Sequence, residues 1–425
     1  MKRRTLIKSA LTLPFGVPGL FQPNIHAATN DKLLLFINMS GGWDVSSFCD
    51  PKLNILGEPI INTWAKTKDI LREGNIDFAD FGNNASFFAK YAQDILIING
   101  VDAQSNSHGA GARFNFTGKI GAGYPSVTSL YAAIKGGGIA LPHLKMGTGR
   151  PYMAPEMKEP IRISSVDMFR QAIRANKNGN GNAQSFSDND YRSVLKLKKS
   201  AIERIVSTRS STPGNERLRE SYARSLAGLD SLEQFYAATL PYPLATSGFK
   251  QQIETTLIAF ASGLTLTADI GAQQLGSGGS FDFDTHSNHD ASQEPILIDS
   301  LNGIDYLWSV AEQIGLANNL IVVVGSDFGR TPYYNADLGK DHWAVGSFMV
   351  MERNAPYTNK VVGATDALQN AKKISTSTLM EDEKDGVYLT PAHVHKALRK
   401  YLGIIDKPES EKFPFPLIED IAFFG

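Results

Sequence analysis

The chain contains a single cysteine, Cys49, so neither an intrachain disulfide nor a zinc site built from cysteines can form. Neither sign of charge is in excess, since 42 Lys and Arg residues stand against 43 Asp and Glu residues. No basic stripe stands out, which argues against nucleic acid as a partner. Beyond the first thirty residues no apolar run is long enough to span a bilayer, so we expect no transmembrane segment in the mature chain. The 425 residues are enough for one large α/β domain or two ordinary ones.

The amino terminus has the features of an export signal. Arg3 and Arg4 precede a modest apolar run over 11–21 that prolines and glycines interrupt, and Ala27-Ala28 offers a small-residue cleavage site. This pattern resembles a twin-arginine signal peptide over 1–28, which predicts recognition by the twin-arginine export machinery and a periplasmic or secreted location. Proteins that take this route fold before export, and many of them load a metal or cofactor first. The alternative is a basic, disordered tail.

Four continuous apolar runs, at 32–39, 94–101, 320–324 and 345–351, predict strands that are buried on both faces, as in a parallel sheet. Helical spacing predicts helices at 110–116, 191–208, 215–238, 253–270, 291–315 and 394–402. We interpret 29–425 as one domain, with a helical insertion at about 165–245 that contains a mobile polar loop over 176–190.

Carboxylates follow two of these strands directly. Asp44 comes after the first strand and a pair of glycines, and Asp327 follows the strand at 320–324. Open α/β sheets bind ligands at the carboxyl ends of their strands, so both residues are candidate metal ligands. Asp341 and His342 follow Asp327 across a polar loop and could add further ligands. The alternatives are that the two strand-end Asp residues are caps and that Asp341 and His342 form a surface turn.

Residues 282–290 contain three Asp and two His residues. In an extended segment residues two apart share a face, so Asp284 and His286 could bind one ion, with Asp282 as a second partner. The competing interpretation is a solvated polar loop.

Ser107 and His108 lie where the strand at 94–101 passes into a predicted helix. A serine at that position meets free backbone N–H groups and the positive end of the helix, which suits a nucleophile that carries a phosphate or sulfate group. Ser107 could instead be an N-cap, which is the commoner role of such a serine, and Ser105 is a rival nucleophile. His108 could be a ligand, an acid or base, or a structural residue.

Taken together these segments resemble the alkaline phosphatase/sulfatase superfamily and, more closely, the bacterial family catalogued as domain of unknown function 1501. The resemblance covers most of the mature chain. It rests on Arg3-Arg4, Gly41-Gly42-Trp43-Asp44, Ser107-His108, Asp284-Thr285-His286, the run from Ser326 to Pro332, Asp341-His342-Trp343 and Leu389-Thr390-Pro391-Ala392.

The resemblance implies a doubly wound, mostly parallel α/β sheet with a metal centre at the carboxyl ends of its strands. Zinc is the expected ion, with manganese, calcium and magnesium as alternatives. The implied ligands are Asp44, Asp327 and the nucleophile loop for one ion, and Asp284, His286 and His342 for the other, beside Asp341.

The resemblance also implies that Ser107 attacks a phosphoryl or sulfuryl group, and that His108 and Arg330 bind the anionic ester. Phe328 stands where superfamily enzymes usually carry a histidine ligand. Two functions are therefore carried forward: an exported metal-dependent hydrolase of phosphate or sulfate esters, whose substrate could be a glycan, and a non-catalytic exported binding or assembly protein that keeps the fold and a structural metal.

Overall fold

The computed structural model describes residues 31–147, 152–155, 161–163, 186–207, 248–272 and 282–425, together with short stretches between 214 and 235. The predicted signal peptide, most of the polar loop and most of the predicted insertion lie outside the described residues, and the last residues predicted as loop, from Asp188, belong to a helix. Inside the insertion, the helix expected at 191–208 is present and spans Asp188–Ser207.

The described strands and helices alternate along much of the chain. The strands are β1 (Leu33–Met39), β2 (Ile70–Glu73), β3 (Ile76–Ala79), β4 (Ile95–Asp102), β5 (His143–Met146), β6 (Ile161–Ile163), β7 (Thr267–Gly271), β8 (Leu320–Ser326), β9 (Gly329–Arg330), β10 (His342–Trp343), β11 (Val345–Glu352) and β12 (Lys360–Val362). The helices are α1 (Asn84–Tyr91), α2 (His108–Thr117), α3 (Val127–Lys135), α4 (Asp188–Ser207), α5 (Gly248–Ala261), α6 (His289–Gln313), α7 (Pro391–Tyr401) and α8 (Pro408–Glu411).

Eight of the described strands form one sheet in the order β12-β4-β11-β8-β1-β7-β5-β6. β11 runs antiparallel to both of its neighbours, β4 and β8, and the remaining pairings are parallel. Every residue of β1, β8 and β11 is buried, which explains why these strands are apolar without alternation. The predicted mostly parallel α/β class is confirmed.

Six of the described helices pack in two groups. Helix α6 contacts α1 and α5, whereas α7 contacts α2 and α3. Strand β7 touches a member of each group, α5 and α3, so the sheet is covered on both faces as in a doubly wound fold. None of the described helices combines the length and the apolar character needed to cross a bilayer.

The helix predicted over 253–270 is wrong beyond Ala261. Gly263 adopts a positive φ of 64° and ends the helix. The following residues form β7, which pairs with β1 on one side and β5 on the other. A strand buried on both faces lacks alternation, so its apolar residues continue the helical pattern before it without a visible break.

Strand register brings the predicted site loops together. Met39 at the end of β1 lies beside Ser326 at the end of β8, and Asp102 at the end of β4 lies beside Val345 at the start of β11. The loops that carry Asp44, Asp327, Ser107 and His342 therefore leave the sheet at the same edge.

Candidate metal centre

Three side chains from separate parts of the chain meet at this edge. His108 begins α2, Asp284 lies in the loop before α6, and His342 begins β10. One ligating atom from each lies within 4.8 Å of the others, so the three form a group that could hold a metal ion. His286 joins them, because its Nε2 lies 3.0 Å from Asp284 Oδ1.

The histidines of this cluster are each oriented through Nδ1. Carboxylate and carbonyl oxygens can only accept, so in the neutral rings the Nδ1 atoms carry the protons. The acceptors are Asp327 Oδ2 for His108 at 3.0 Å, Asp341 Oδ1 for His286 at 2.7 Å, and the Asn106 carbonyl oxygen for His342 at 2.8 Å. Such partners are the usual companions of metal-bound histidines, since they fix the ring orientation and the tautomer.

With Nδ1 protonated, the Nε2 lone pairs converge on the carboxylate of Asp284. The Nε2 atoms of His286 and His342 lie 2.9 Å apart, and that of His342 is 3.1 Å from Asp284 Oδ1. His108 Nε2 lies 3.4 Å from Asp284 Oδ2 and is a buried atom without a hydrogen-bond partner in the described structure. Electron-rich atoms in this arrangement repel one another unless a cation or extra protons lie between them. A tetrahedral zinc ion with bonds of about 2.0–2.1 Å separates its ligand atoms by roughly 3.3 Å, so this donor set fits a divalent ion.

Asp284 is held in its anionic form. Burial alone would raise its pKa, but the hydrogen bond and the positive charge of Arg330 act against burial, and the pKa is lowered to about 2. The hydrogen bond that His108 donates to Asp327 is the main reason that the pKa of His108 is raised. The Asp284 side chain remains 32% exposed, so the centre is open to solvent and to a ligand.

Arg330, predicted to bind an anionic ester, is completely buried instead. It donates to the carbonyl oxygens of Gly42 at 2.9 Å and Lys340 at 3.0 Å, to that of Gly41, and to Asp284 Oδ1 at 2.6 Å. The side chain thus joins the glycine turn after β1 to the cluster and positions Asp284. It is not presented to a substrate.

Asp44 is placed apart from the group that could hold an ion. Its Oδ1 accepts from Ser46 N at 2.9 Å and caps a short 3-10 turn, so the capping alternative is confirmed. Its Oδ2 lies 2.7 Å from Lys340 Nζ and 2.9 Å from His289 Nε2. Burial by itself would raise the pKa of Asp44. Lys340 and His289 have the larger, opposite effect, so the pKa falls well below its usual range.

Asp327 and Asp341, two further predicted ligands, act on the histidines. Asp327 is buried, and its Oδ2 accepts from His108 Nδ1 and from Gly41 N at 3.1 Å. Its Oδ1 has no hydrogen-bond partner among the described residues. Asp341 is 53% exposed and orients His286. Both carboxylates hold rings in place, whereas Asp284 faces the Nε2 atoms.

Ser107 lies directly before His108 at the amino end of α2. Its side chain is exposed and makes no capping hydrogen bond. The rival nucleophile Ser105 uses its Oγ to accept from Ser107 N at 3.0 Å. Of the two hydroxyls, that of Ser107 is therefore the less engaged at the helix end.

Phe328 forms an apolar wall against the cluster. It is buried, and its ring centroid lies 4.8 Å from that of His108 and 4.4 Å from that of His342. The ring packs where a histidine ligand was expected by resemblance, and it restricts the two imidazoles to their present orientations.

The sequence-based predictions missed Lys340 and His289 as the partners of Asp44. His289 belongs to the polar cluster at 282–290, so the sequence indicated that it could have a role, but not that Asp44 is its partner. The sequence gave no such indication for Lys340, because a lysine in a polar loop is nearly always exposed.

Comparison with known proteins supports the family resemblance in part of the chain. Residues 246–393 match a family described as "Protein of unknown function (DUF1501)". The predicted resemblance is confirmed over this segment. It contains Asp284, His286, Asp327, Arg330, Asp341 and His342, while Asp44, Ser107 and His108 lie before it. No curated protein matches the chain in sequence.

Solved structures of hydrolases and related enzymes overlap with the chain at low identity. An alkaline phosphatase from the Antarctic bacterium TAB5 is 12% identical with a TM-score of 0.33, over 78% of this chain and 95% of that one. The PsFucS1 sulfatase from Pseudoalteromonas sp. is 8% identical with a TM-score of 0.39, over 89% and 69%. The lipoteichoic acid synthase LtaP from Listeria monocytogenes is 8% identical with a TM-score of 0.37, over 95% and 77%. At these scores the overlaps carry no inference about the chemistry, which is argued below from the site alone.

Proposed function

We propose that this protein is an exported, metal-dependent hydrolase of phosphate or sulfate esters with a serine nucleophile. The observation that carries the proposal is the convergence of the His108, His286 and His342 Nε2 atoms on Asp284. Histidine and carboxylate donors favour zinc over manganese, calcium and magnesium, which prefer oxygen ligands.

His108, His342, His286 and Asp284 are the residues that hold the ion. A divalent ion there supplies Lewis-acid stabilisation of an anionic ester and lowers the pKa of a nearby hydroxyl. Asp327 fixes the orientation of the His108 ring, Asp341 fixes that of the His286 ring, and Arg330 holds Asp284 in place.

Ser107 is the proposed nucleophile. Its Oγ attacks the phosphorus or sulfur atom and displaces the alcohol, and water then releases the acid from the serine. The amino end of α2 favours the anionic group through its free N–H donors and its dipole. The Ser107 hydroxyl makes no capping hydrogen bond in the described structure, whereas that of Ser105 accepts from Ser107 N, and this supports Ser107 over Ser105.

The export part of the proposal rests on Arg3, Arg4 and the apolar run behind them. A twin-arginine route, with recognition by that machinery and delivery to the periplasm, is consistent with a chain that folds around its metal first. The proposed substrates, phosphate or sulfate esters including those of glycans, are then those met outside the cytoplasm.

A non-catalytic exported binding or assembly protein is the second candidate. It is favoured by the placement of Asp44 and Arg330, because both are engaged in buried internal contacts where the resemblance implied direct roles in chemistry. This candidate predicts a bound metal without turnover on any ester.

The deciding measurement is metal content by inductively coupled plasma mass spectrometry, on protein prepared from the periplasm without chelator. We expect bound zinc in the wild type, its loss in Asp284→Ala, and its retention in the control Asp337→Asn, whose exposed carboxylate lies in a nearby loop. Hydrolysis of aryl phosphates and sulfates is then assayed on the loaded protein. An absence of bound metal after incubation with each ion contradicts the proposal, and metal without turnover on either ester favours the second candidate.

A further inference from the structure

Lys340 is a lysine whose side chain is completely buried. Its Nζ lies 2.7 Å from Asp44 Oδ2, 3.0 Å from Asn62 Oδ1 and 3.3 Å from Ser46 Oγ. An ammonium group has three N–H donors, and three oxygens surround this one. A lysine is almost never fully buried unless it is paired, and here the pairing is complete.

The surroundings of this ammonium are those of a cation site. His289 directs Nε2 at the same Asp44 oxygen at 2.9 Å, and its Nδ1 is held by Thr285 Oγ1 at 2.7 Å. A carboxylate, an amide oxygen and a hydroxyl therefore surround the ammonium, and an imidazole contacts the same carboxylate oxygen. This is a donor set that a divalent ion accepts.

The site is coupled to the metal centre through the backbone. The carbonyl oxygen of Lys340 accepts from Arg330, which holds Asp284, and the amide N–H of Lys340 donates to the Thr285 carbonyl oxygen at 3.1 Å. Thr285 stands between Asp284 and His286 in the chain. The ammonium thus lies next to the centre without using its ligands.

We propose that the Lys340 ammonium is a built-in substitute for a second metal ion, so that the protein binds one divalent ion at the histidine cluster and Asp44 is not a ligand. This inference rests on the metal centre of the proposed function. It assigns the oxygens of Asp44, Asn62 and Ser46 to a fixed positive charge that is always present, whatever the supply of metal.

The test is metal stoichiometry, by mass spectrometry and by titration with Co²⁺ followed through its visible absorption. We expect one equivalent in the wild type. The double variant Asp44→Asn/Lys340→Met removes both charges of the pair with side chains of similar size, and it should still bind one equivalent. Lys340→Met alone leaves Asp44 and His289 without the ammonium, and it should bind a second equivalent.

The thermal unfolding of each protein is measured with and without metal, beside its metal stoichiometry, because Lys340→Met leaves a buried carboxylate without its ammonium partner. If that variant folds only when metal is added and then holds two equivalents, an ion has replaced the ammonium beside Asp44 and the inference is supported; one equivalent in the folded variant overturns the inference. Lys340→Met that is folded without added metal and stays at one equivalent overturns the inference.

The double variant covers the case in which Lys340→Met does not fold at all. One equivalent bound by the double variant supports the inference, and loss of metal from it overturns the inference. Two equivalents in the wild type overturn the inference and leave the proposed hydrolase standing. Zero equivalents in the wild type overturn both, so the two failures are distinguishable.

Discussion

The Nε2 atoms of His286 and His342 lie 2.9 Å apart, and both face the same oxygen of Asp284. The Nδ1 of His286 is bound by Asp341, a residue that the resemblance placed next to the ligands. The relationship separates two kinds of carboxylate, one that faces the Nε2 atoms and one that orients a ring behind them. The two kinds should differ in their effect on metal binding.

Asp341→Asn is therefore expected to weaken metal binding without abolishing it. Loss of an orienting carboxylate behind a metal-bound histidine typically lowers affinity by about 10–100-fold. Asp284→Ala should abolish binding at the same metal concentration. Competition against a chromogenic chelator measures both affinities, with Asp337→Asn as the control. Equal losses in Asp341→Asn and Asp284→Ala would show that Asp341 is itself a ligand.

Ser107→Ala should abolish ester hydrolysis and leave metal content unchanged. Removing a nucleophile typically lowers turnover by roughly 10³-fold or more. Ser105→Ala is the matched control, because its hydroxyl already accepts from Ser107 N and its loss should lower turnover only modestly. Initial rates on a phosphate and a sulfate ester measure the difference. Turnover that survives in Ser107→Ala and disappears in Ser105→Ala assigns the nucleophile to Ser105.

Arg330→Lys should destabilise the fold by about 3–5 kcal/mol. The shorter, single-headed ammonium cannot reach the Gly41, Gly42 and Lys340 carbonyl oxygens together, and each buried acceptor left without a donor costs about 1–3 kcal/mol. Urea unfolding measures the change.

Arg72→Lys is the control for Arg330→Lys, since Arg72 is exposed and its replacement should leave the free energy of unfolding almost unchanged. Normal stability of Arg330→Lys together with a raised KM would restore the anion-binding role to Arg330.

Gly41→Ala should damage the metal centre, whereas Gly57→Ala should not. Both glycines have a positive φ, 104° and 88°, so each substitution strains the backbone by about 1–2 kcal/mol. A Cβ at Gly41 would also lie 2.6 Å from the amide nitrogen of Asp284, while a Cβ at Gly57 meets open space. Metal affinity and melting temperature are measured on both variants. Equal metal affinities in the two would show that the contact with Asp284 is not needed for the centre.

His395 should make the protein acid-sensitive. Burial is the main cause that lowers its pKa to about 3, against an ordinary value of 6.5. Between these values the unfolded chain takes up a proton that the folded chain does not. Stability is therefore lost as pH falls from about 6.5 towards 3, by up to about 1.4 kcal/mol per pH unit from this one group.

His395→Gln cannot titrate, so its stability should fall less steeply over the same range, even if it is lower at neutral pH. Urea unfolding at several pH values gives both slopes. The other buried histidines are common to the two proteins and cancel in the comparison. Parallel slopes would mean that the folded protein takes up a proton at His395 over the same pH range as the unfolded chain, so that burial does not lower the pKa of His395.

The sequence by itself determined the sheet and the edge at which the site lies. The apolar runs that became β1, β4, β8 and β11 are local signals, because strands buried on both faces require apolar residues throughout. Once these runs are identified as strands, the sequence also shows which Asp and His residues follow the strand ends. The pairing of Asp284 with His286 could also be predicted from the sequence, because residues two apart in an extended segment lie on the same face.

Only the tertiary structure decided which of these residues act on one another. Strand β7 could not be predicted from the local sequence, because residues 267–271 are extended through their pairing with β1 and β5 and show no strand periodicity of their own. Asp44 meets Lys340 across 296 residues of chain, and Arg330 reaches the carbonyl oxygens behind Asp44 in the same way. Whether a carboxylate serves as a ligand, an orienting acceptor or a partner of a buried ammonium depends on which side chains the fold brings within about 3 Å. That distance depends on packing between segments far apart in the chain, and no local pattern of residues records it.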